Sequence, residues 1–153
     1  THATSDMNMA EDRIGAARLE GAYAWRALVD SGAVLANGSD FPVELANPMH
    51  GLYASVTLQS RAGLPEGGWH AEKGLSREET LHSFTLAAAF AAHQEDRLGS
   101  LEPGKWADFI VVDRDYFTIP ASDIDDIQVV QTWVGGEIVY ERCEDPDSAE
   151  CAN

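Results

Sequence analysis

The segment Val34-Leu35-Ala36-Asn37-Gly38-Ser39-Asp40-Phe41-Pro42 constrains the fold of this chain more than any other. Three apolar residues suited to a strand run into a turn of small residues that presents one carboxylate. Gly38 permits backbone angles that a side chain would forbid, and Pro42 stops the strand from continuing. A buried parallel strand ending in an acid is how α/β barrels place catalytic groups, at the C-terminal mouth of the sheet. Capping of the next turn is the other role open to Asp40, since Asp often serves that way. Spacing alone leaves both roles standing.

The flanking residues read as α/β. Leu19, Tyr23, Trp25, Leu28 and Val29 supply the apolar surface of a helix predicted over Ile14 to Ser31, with Gly32 placed as its C-terminal cap. Asn47-Pro48 reads as an N-cap followed by proline at the first helical position. Met49, Leu52, Tyr53 and Val56 then continue a helix to about Ser60. Residues 62–75, rich in glycine and carrying Pro65, Trp69 and His70, suit a surface loop or lid. An ordinary connection whose Trp69 packs on the body fits the same composition. Ser76 with Glu79 makes a capping box. The helix it opens carries Leu81, Phe84, Thr85, Ala88 and Ala92 on one stripe, and Ala87-Ala88-Ala89 allows a neighbour to approach closely.

From Gly99 the texture turns to β. Glu102-Pro103-Gly104-Lys105 suits a type II turn, and strands are predicted over Trp106–Asp113 and Ile127–Val134. Gly135-Gly136 is a two-residue hairpin connection into Glu137–Tyr140. The fold class is therefore α/β plus β, divided as 1–98, 99–142 and an acidic tail at 143–153.

A formal net charge of −16 excludes whole classes of partner. Nucleic acid and anionic membrane surfaces both require a basic face, so neither is expected. Residues 123–153 hold nine acids and one arginine, half of that net charge, which describes a solvated acidic surface with an acidic tail. No apolar run is long enough to cross a bilayer and no signal-like segment opens the chain, so a cytoplasmic location is expected. Cys143 and Cys151 both fall in the tail. Two exposed free thiols are expected there, with a disulfide the alternative in an oxidising compartment.

Gly38 to Val43, the Leu75–Ala92 helix and the run Arg97-Leu98-Gly99-Ser100-Leu101-Glu102-Pro103-Gly104-Lys105-Trp106-Ala107-Asp108-Phe109-Ile110-Val111-Val112-Asp113 together resemble the end of an amidohydrolase-superfamily enzyme. The branch containing N-substituted formamide deformylases is the nearest in pattern. Thr1-His2-Ala3-Thr4-Ser5-Asp6-Met7 is similar to that branch's segment after the seventh barrel strand, and Thr132–Tyr140 to its closing hairpin. The resemblance covers residues 1 to about 142, with its motifs in the family's order.

The resemblance implies the terminal strand–helix units of a (β/α)8 barrel, followed by part of a small β-sandwich. It implies a divalent metal, zinc, as one or two ions. Of the family's ligands only the eighth-strand Asp has a counterpart, Asp40, as metal ligand and catalytic base. His2 would face the barrel mouth and touch a small amide-like substrate. The expected partners are the missing upstream barrel portion and, because strands with unpaired edges invite pairing, a second copy of the chain. His50 is expected at the surface, His70 on the loop, and His82 and His93 in structural or exposed positions. Asp108 and Asp113 are expected on the solvent side of their strand.

The leading reading is thus the C-terminal fragment of a metal-dependent hydrolase of non-peptide C–N bonds, inactive alone. Its rivals are a non-catalytic acidic module for binding or assembly, and a cyclic imide or urea hydrolase of the same superfamily.

Overall fold

The computed structural model describes residues 1–143; the acidic stretch 144–153, Cys151 included, lies outside them. In chain order come α1 (His2–Asp6), α2 (Ala10–Ile14), α3 (Ala16–Leu19), α4 (Trp25–Asp30), α5 (Pro48–Thr57), α6 (Arg77–Phe84) and α7 (Leu86–Ala91). Strands β1 (Phe109–Val112), β2 (Val129–Val134) and β3 (Glu137–Glu141) follow. Short 3₁₀ segments occupy Ala71–Lys73 and Ala121–Asp126. No helix among the described residues is long and apolar enough to cross a membrane.

The signals at chain punctuation hold. Asn47 accepts from the Met49 amide at 3.0 Å with Pro48 at the first helical position. Ser76 and Glu79 close both halves of the capping box. Gly32, at φ 83°, ends α4, and the Ala33 amide reaches back to the Leu28 carbonyl at 3.1 Å. Lys105 donates to the Glu102 carbonyl at 3.1 Å across a turn with Gly104 at φ 97°.

Two long helices do not hold. The one expected over Ile14 to Ser31 is α3 and α4, preceded by α2, because Gly15 at φ 78° and Tyr23 at φ 49° leave the helical region. The capped helix breaks at Thr85, with φ −122° and ψ −89°, into α6 and α7. The strand expected at Val34–Ala36 is not formed: residues 33–39 are irregular, with Val34 55% exposed. A strand exists only through a hydrogen-bonded neighbour. Here the Asn37 amide bonds instead to the Ser83 carbonyl at 3.0 Å.

The core spans both textures. Met49, Leu52 and Tyr53 of α5 pack against Tyr116, Ile124 and Ile127, with Phe84 and Val129 at the margin. Gly51 makes this possible, since a Cβ there would stand 2.4 Å from the Phe84 ring. The Ala87–Ala89 run permits the close approach expected of it: a Cβ on Gly99 would meet that of Ala89 at 2.9 Å. Arg77 at the start of α6 donates to the Tyr116 and Ile119 carbonyls and lies over the Tyr116 ring, 5.7 Å from its centroid.

The three strands form one antiparallel sheet in the order β1-β2-β3. Phe109 stacks on Trp133 across the β1–β2 pair, with centroids 5.3 Å apart. Gly135 and Gly136, both at positive φ, turn β2 into β3. The two expected solvent-side acids work locally. Asp108 accepts from the Gly135 amide at 2.7 Å, and Asp113 accepts from the Gln128 amide at 2.9 Å and Arg142 at 3.1 Å. Cys143 is disulfide-bonded, which corrects the free thiol expected for it.

Arg26 joins α4 to α6 by pairing with Glu79, and its guanidinium also donates to the Gly74 carbonyl at 3.2 Å. Arg26 first, and the Ser76 amide next, hold the Glu79 carboxyl down at about 2 from an ordinary 4.5. A carboxyl depressed by folding stabilises the fold above its unfolded value, and that gain fades as the pH falls through the folded value. Glu79 keeps 32% of its side chain in solvent, so screening trims the pair to about 1 kcal/mol. Glu79→Gln is therefore expected to lower Tm at neutral pH by about 2–4 °C. Thermal scans of the two proteins should converge as the pH drops from 4.5 toward about 2.

His50, expected at the surface, is instead buried and pairs through Nδ1 with Asp125, whose other oxygen accepts from Arg61 at 3.3 Å. Its place beside Met49 on α5 was no guide, because its partner lies 75 residues away. Asp125→Ala leaves a buried imidazole without its partner and is expected to cost about 1–3 kcal/mol, measured by urea denaturation.

Candidate functional site

His2 lies in the first turn of α1, a short helix whose Ala3 and Thr4 are buried and anchor it to the body. A second anchor is Tyr23, whose hydroxyl donates to Asp6 at the end of the same helix. Burial, and then this hydrogen bond, push the Tyr23 phenol up to about 12, so it remains a donor at neutral pH. Trp69 packs edge-on against Tyr23, with ring centroids 5.8 Å apart, and its amide donates to the Leu58 carbonyl at 2.8 Å. The loop 62–75 is thereby tied to the body, as the ordinary-connection alternative required.

Asp40 sits at the far end of the irregular segment. Its φ is 51°, a left-handed conformation that Asp tolerates better than most residues. Gly38, expected to take the unusual angles, is not at positive φ; the turn places them on Asp40 itself. That turn closes backbone to backbone, from the Val43 amide to the Asp40 carbonyl at 2.9 Å, without spending the carboxylate.

The two residues meet. His2 Nε2 stands 3.9 Å from Asp40 Oδ2, with 36% and 78% of the side chains in solvent. Thirty-eight positions separate them in sequence, and the fold brings them side by side. An imidazole nitrogen and a carboxylate oxygen are donors of the kind zinc takes. Among the described residues no third His, Cys, Asp or Glu joins them into a group of three or more. The pair offers two of these donor types, fewer than the four that close a zinc shell.

The other histidines stand apart. His70, at φ 52°, pairs with Glu72 at 3.2 Å, and His82 and His93 are exposed. His82 lines a groove of about 450 Å³ with Val29, Val34, Leu35, Leu75 and Glu79; neither His2 nor Asp40 borders it. Sequence reasoning missed Tyr23 and Asp6 as the brace behind His2. A tyrosine on a helical apolar face carries no mark of an acid partner 17 residues away.

A profile described as the amidohydrolase family matches residues 1–140. The chain is 30% identical over 138 residues to a putative amidohydrolase YtcJ of Bacillus subtilis, covering 90% of this chain and 26% of that protein. It is 29% identical to an N-substituted formamide deformylase of Arthrobacter pascens, covering 76% of this chain and 21% of that protein. Among solved structures, an amidohydrolase from Thermotoga maritima superposes with a TM-score of 0.56 at 25% identity, over 78% of this chain and 26% of that one. The chain thus spans about a quarter of the length of the relatives it matches. With the profile matched along nearly its whole length, this chain belongs to the amidohydrolase family.

Proposed function

We propose that this chain forms the C-terminal part of a metal-dependent hydrolase of non-peptide carbon–nitrogen bonds, such as amides or formamides. The observation that carries the reading is the approach of His2 Nε2 to Asp40 Oδ2, both partly open to solvent. Family membership and the deformylase relative support the reaction class. That the chain spans about a quarter of its relatives supports a larger catalytic body. So do Val34, Phe41, Val43 and Leu45, each more than half exposed around Asp40. These side chains suit burial under the remaining barrel, or under a second copy.

Asp40 would hold one side of a zinc ion, which supplies hydroxide at neutral pH when bound. Asp40 accepts the proton of the attacking water as oxygen bonds to the carbonyl carbon. The same carboxyl then returns that proton to the nitrogen as the C–N bond breaks, giving a carboxylic acid and an amine. Its charge balance closes after one turnover. His2, braced from behind by the Asp6–Tyr23 bond, holds the substrate carbonyl toward Asp40.

One ligand does not retain a catalytic zinc, which normally has three protein ligands and water. The chain alone is therefore expected to bind zinc weakly and to leave formamides intact. Tight stoichiometric binding in calorimetry would contradict this. In the complete hydrolase, Asp40→Asn keeps size and hydrogen-bonding capacity but removes the proton acceptor. A loss of ~10²–10⁴-fold in kcat is expected with Tm close to wild type. A folded, metal-loaded variant with near-normal kcat would return Asp40 to a turn-forming role.

A further inference from the structure

An acid that must meet water and substrate at one place needs a fixed backbone, yet the segment carrying Asp40 has no strand ladder. Three residues before Asp40, Asn37 supplies another kind of fixation. Its amide nitrogen Nδ2 donates to Ser83 Oγ at 3.0 Å and to Ser55 Oγ at 3.4 Å. Its backbone N–H donates to the Ser83 carbonyl at 3.0 Å. Both serines are buried, Ser55 on α5 and Ser83 on α6.

The direction of these bonds is determined. Ser83 spends its one hydroxyl hydrogen on the Thr80 carbonyl at 2.7 Å, so its oxygen can only accept from Asn37. That fixes which end of the Asn37 amide points inward. One side chain thus pins the segment to two helices at once. No apolar residue at position 37 could do this.

We propose that Asn37 is the positioning residue for Asp40, a polar bolt that sets the carboxylate against His2 in place of a β-ladder. The purpose of the bolt rests on the catalytic reading of Asp40. Its existence does not, so the test contains neither metal nor substrate, and a failure of either idea shows separately.

Asn37→Ala removes both side-chain donors and keeps the backbone N–H. Amide hydrogen exchange by NMR then reads each residue in turn. Exchange at the residue 37 amide and at Val43, which closes the Asp40 turn, is expected to accelerate about tenfold, the scale of one to two neutral hydrogen bonds. Amides inside α5 and α6 should change by less than about twofold, because those helices keep their own ladders. The through-space contact between the His2 ring and the Asp40 β-protons should weaken at the same time. Equal acceleration throughout α5 and α6 would mark Asn37 as a general stabiliser and overturn the proposal. Unchanged exchange at Val43 with the His2–Asp40 contact intact would overturn it too. Ser83→Ala removes the acceptor, along with the hydroxyl's own bond to the Thr80 carbonyl, and leaves Asn37 in place; it must give the same local pattern at residue 37 and Val43, which keeps the proposal testable should Asn37→Ala not fold.

Discussion

The packing of α5 on the segment around Ile124 is the contact on which the remaining architecture depends. Met49, Leu52 and Tyr53 give α5 its buried face, and Ile124 and Ile127 complete it from more than 60 residues later in the chain. Burying a large apolar side chain contributes about 1.5–3 kcal/mol, so this cluster outweighs any single polar contact described above. The His50–Asp125–Arg61 group lies at the same contact. Its part is to fix the angle and register of a joint that apolar surface alone would hold loosely, since hydrophobic attraction has no direction.

Everything that positions the candidate site hangs from that joint. Helix α6 packs beside α5, with the Phe84 ring over Gly51, and so presents Ser83 to Asn37. Arg26 ties α4 to the same helix, and α4 leads directly into the segment that ends in Asp40. On the other side, Trp69 and Tyr23 brace α1 and its His2. Two short, weakly structured stretches are thus held in place by a small number of directional bonds to a firm pair of helices. This suits a site whose groups need exposure for chemistry, because exposed segments cannot rely on their own burial for position.

Local chemistry was legible wherever one residue type answers one backbone need. Asn47 with Pro48, Ser76 with Glu79, Gly32, Gly104 and the Gly135-Gly136 turn all work as their types require. The failures share a different cause. Periodicity ran the helix through Gly15 and Tyr23 and ran the capped helix through Thr85, because an apolar stripe reports a face and not its continuity. Val34–Ala36 has strand composition without a strand, since composition cannot supply the neighbour whose amides complete a ladder.

The sequence by itself determined the family, the punctuation of helices and hairpin, and Asp40 as the acid to watch. These are local or ordered signals, carried by residue type and by motifs met in a fixed succession along the chain. Tertiary structure alone decided that His2 meets Asp40, that His50 is buried against Asp125, and that Asn37 reaches two helices. Such contacts join residues tens of positions apart, and their distances depend on how the packed elements are oriented. Spacing along a chain constrains a turn of helix or a hairpin; it leaves the separation of two distant side chains to the packing between them.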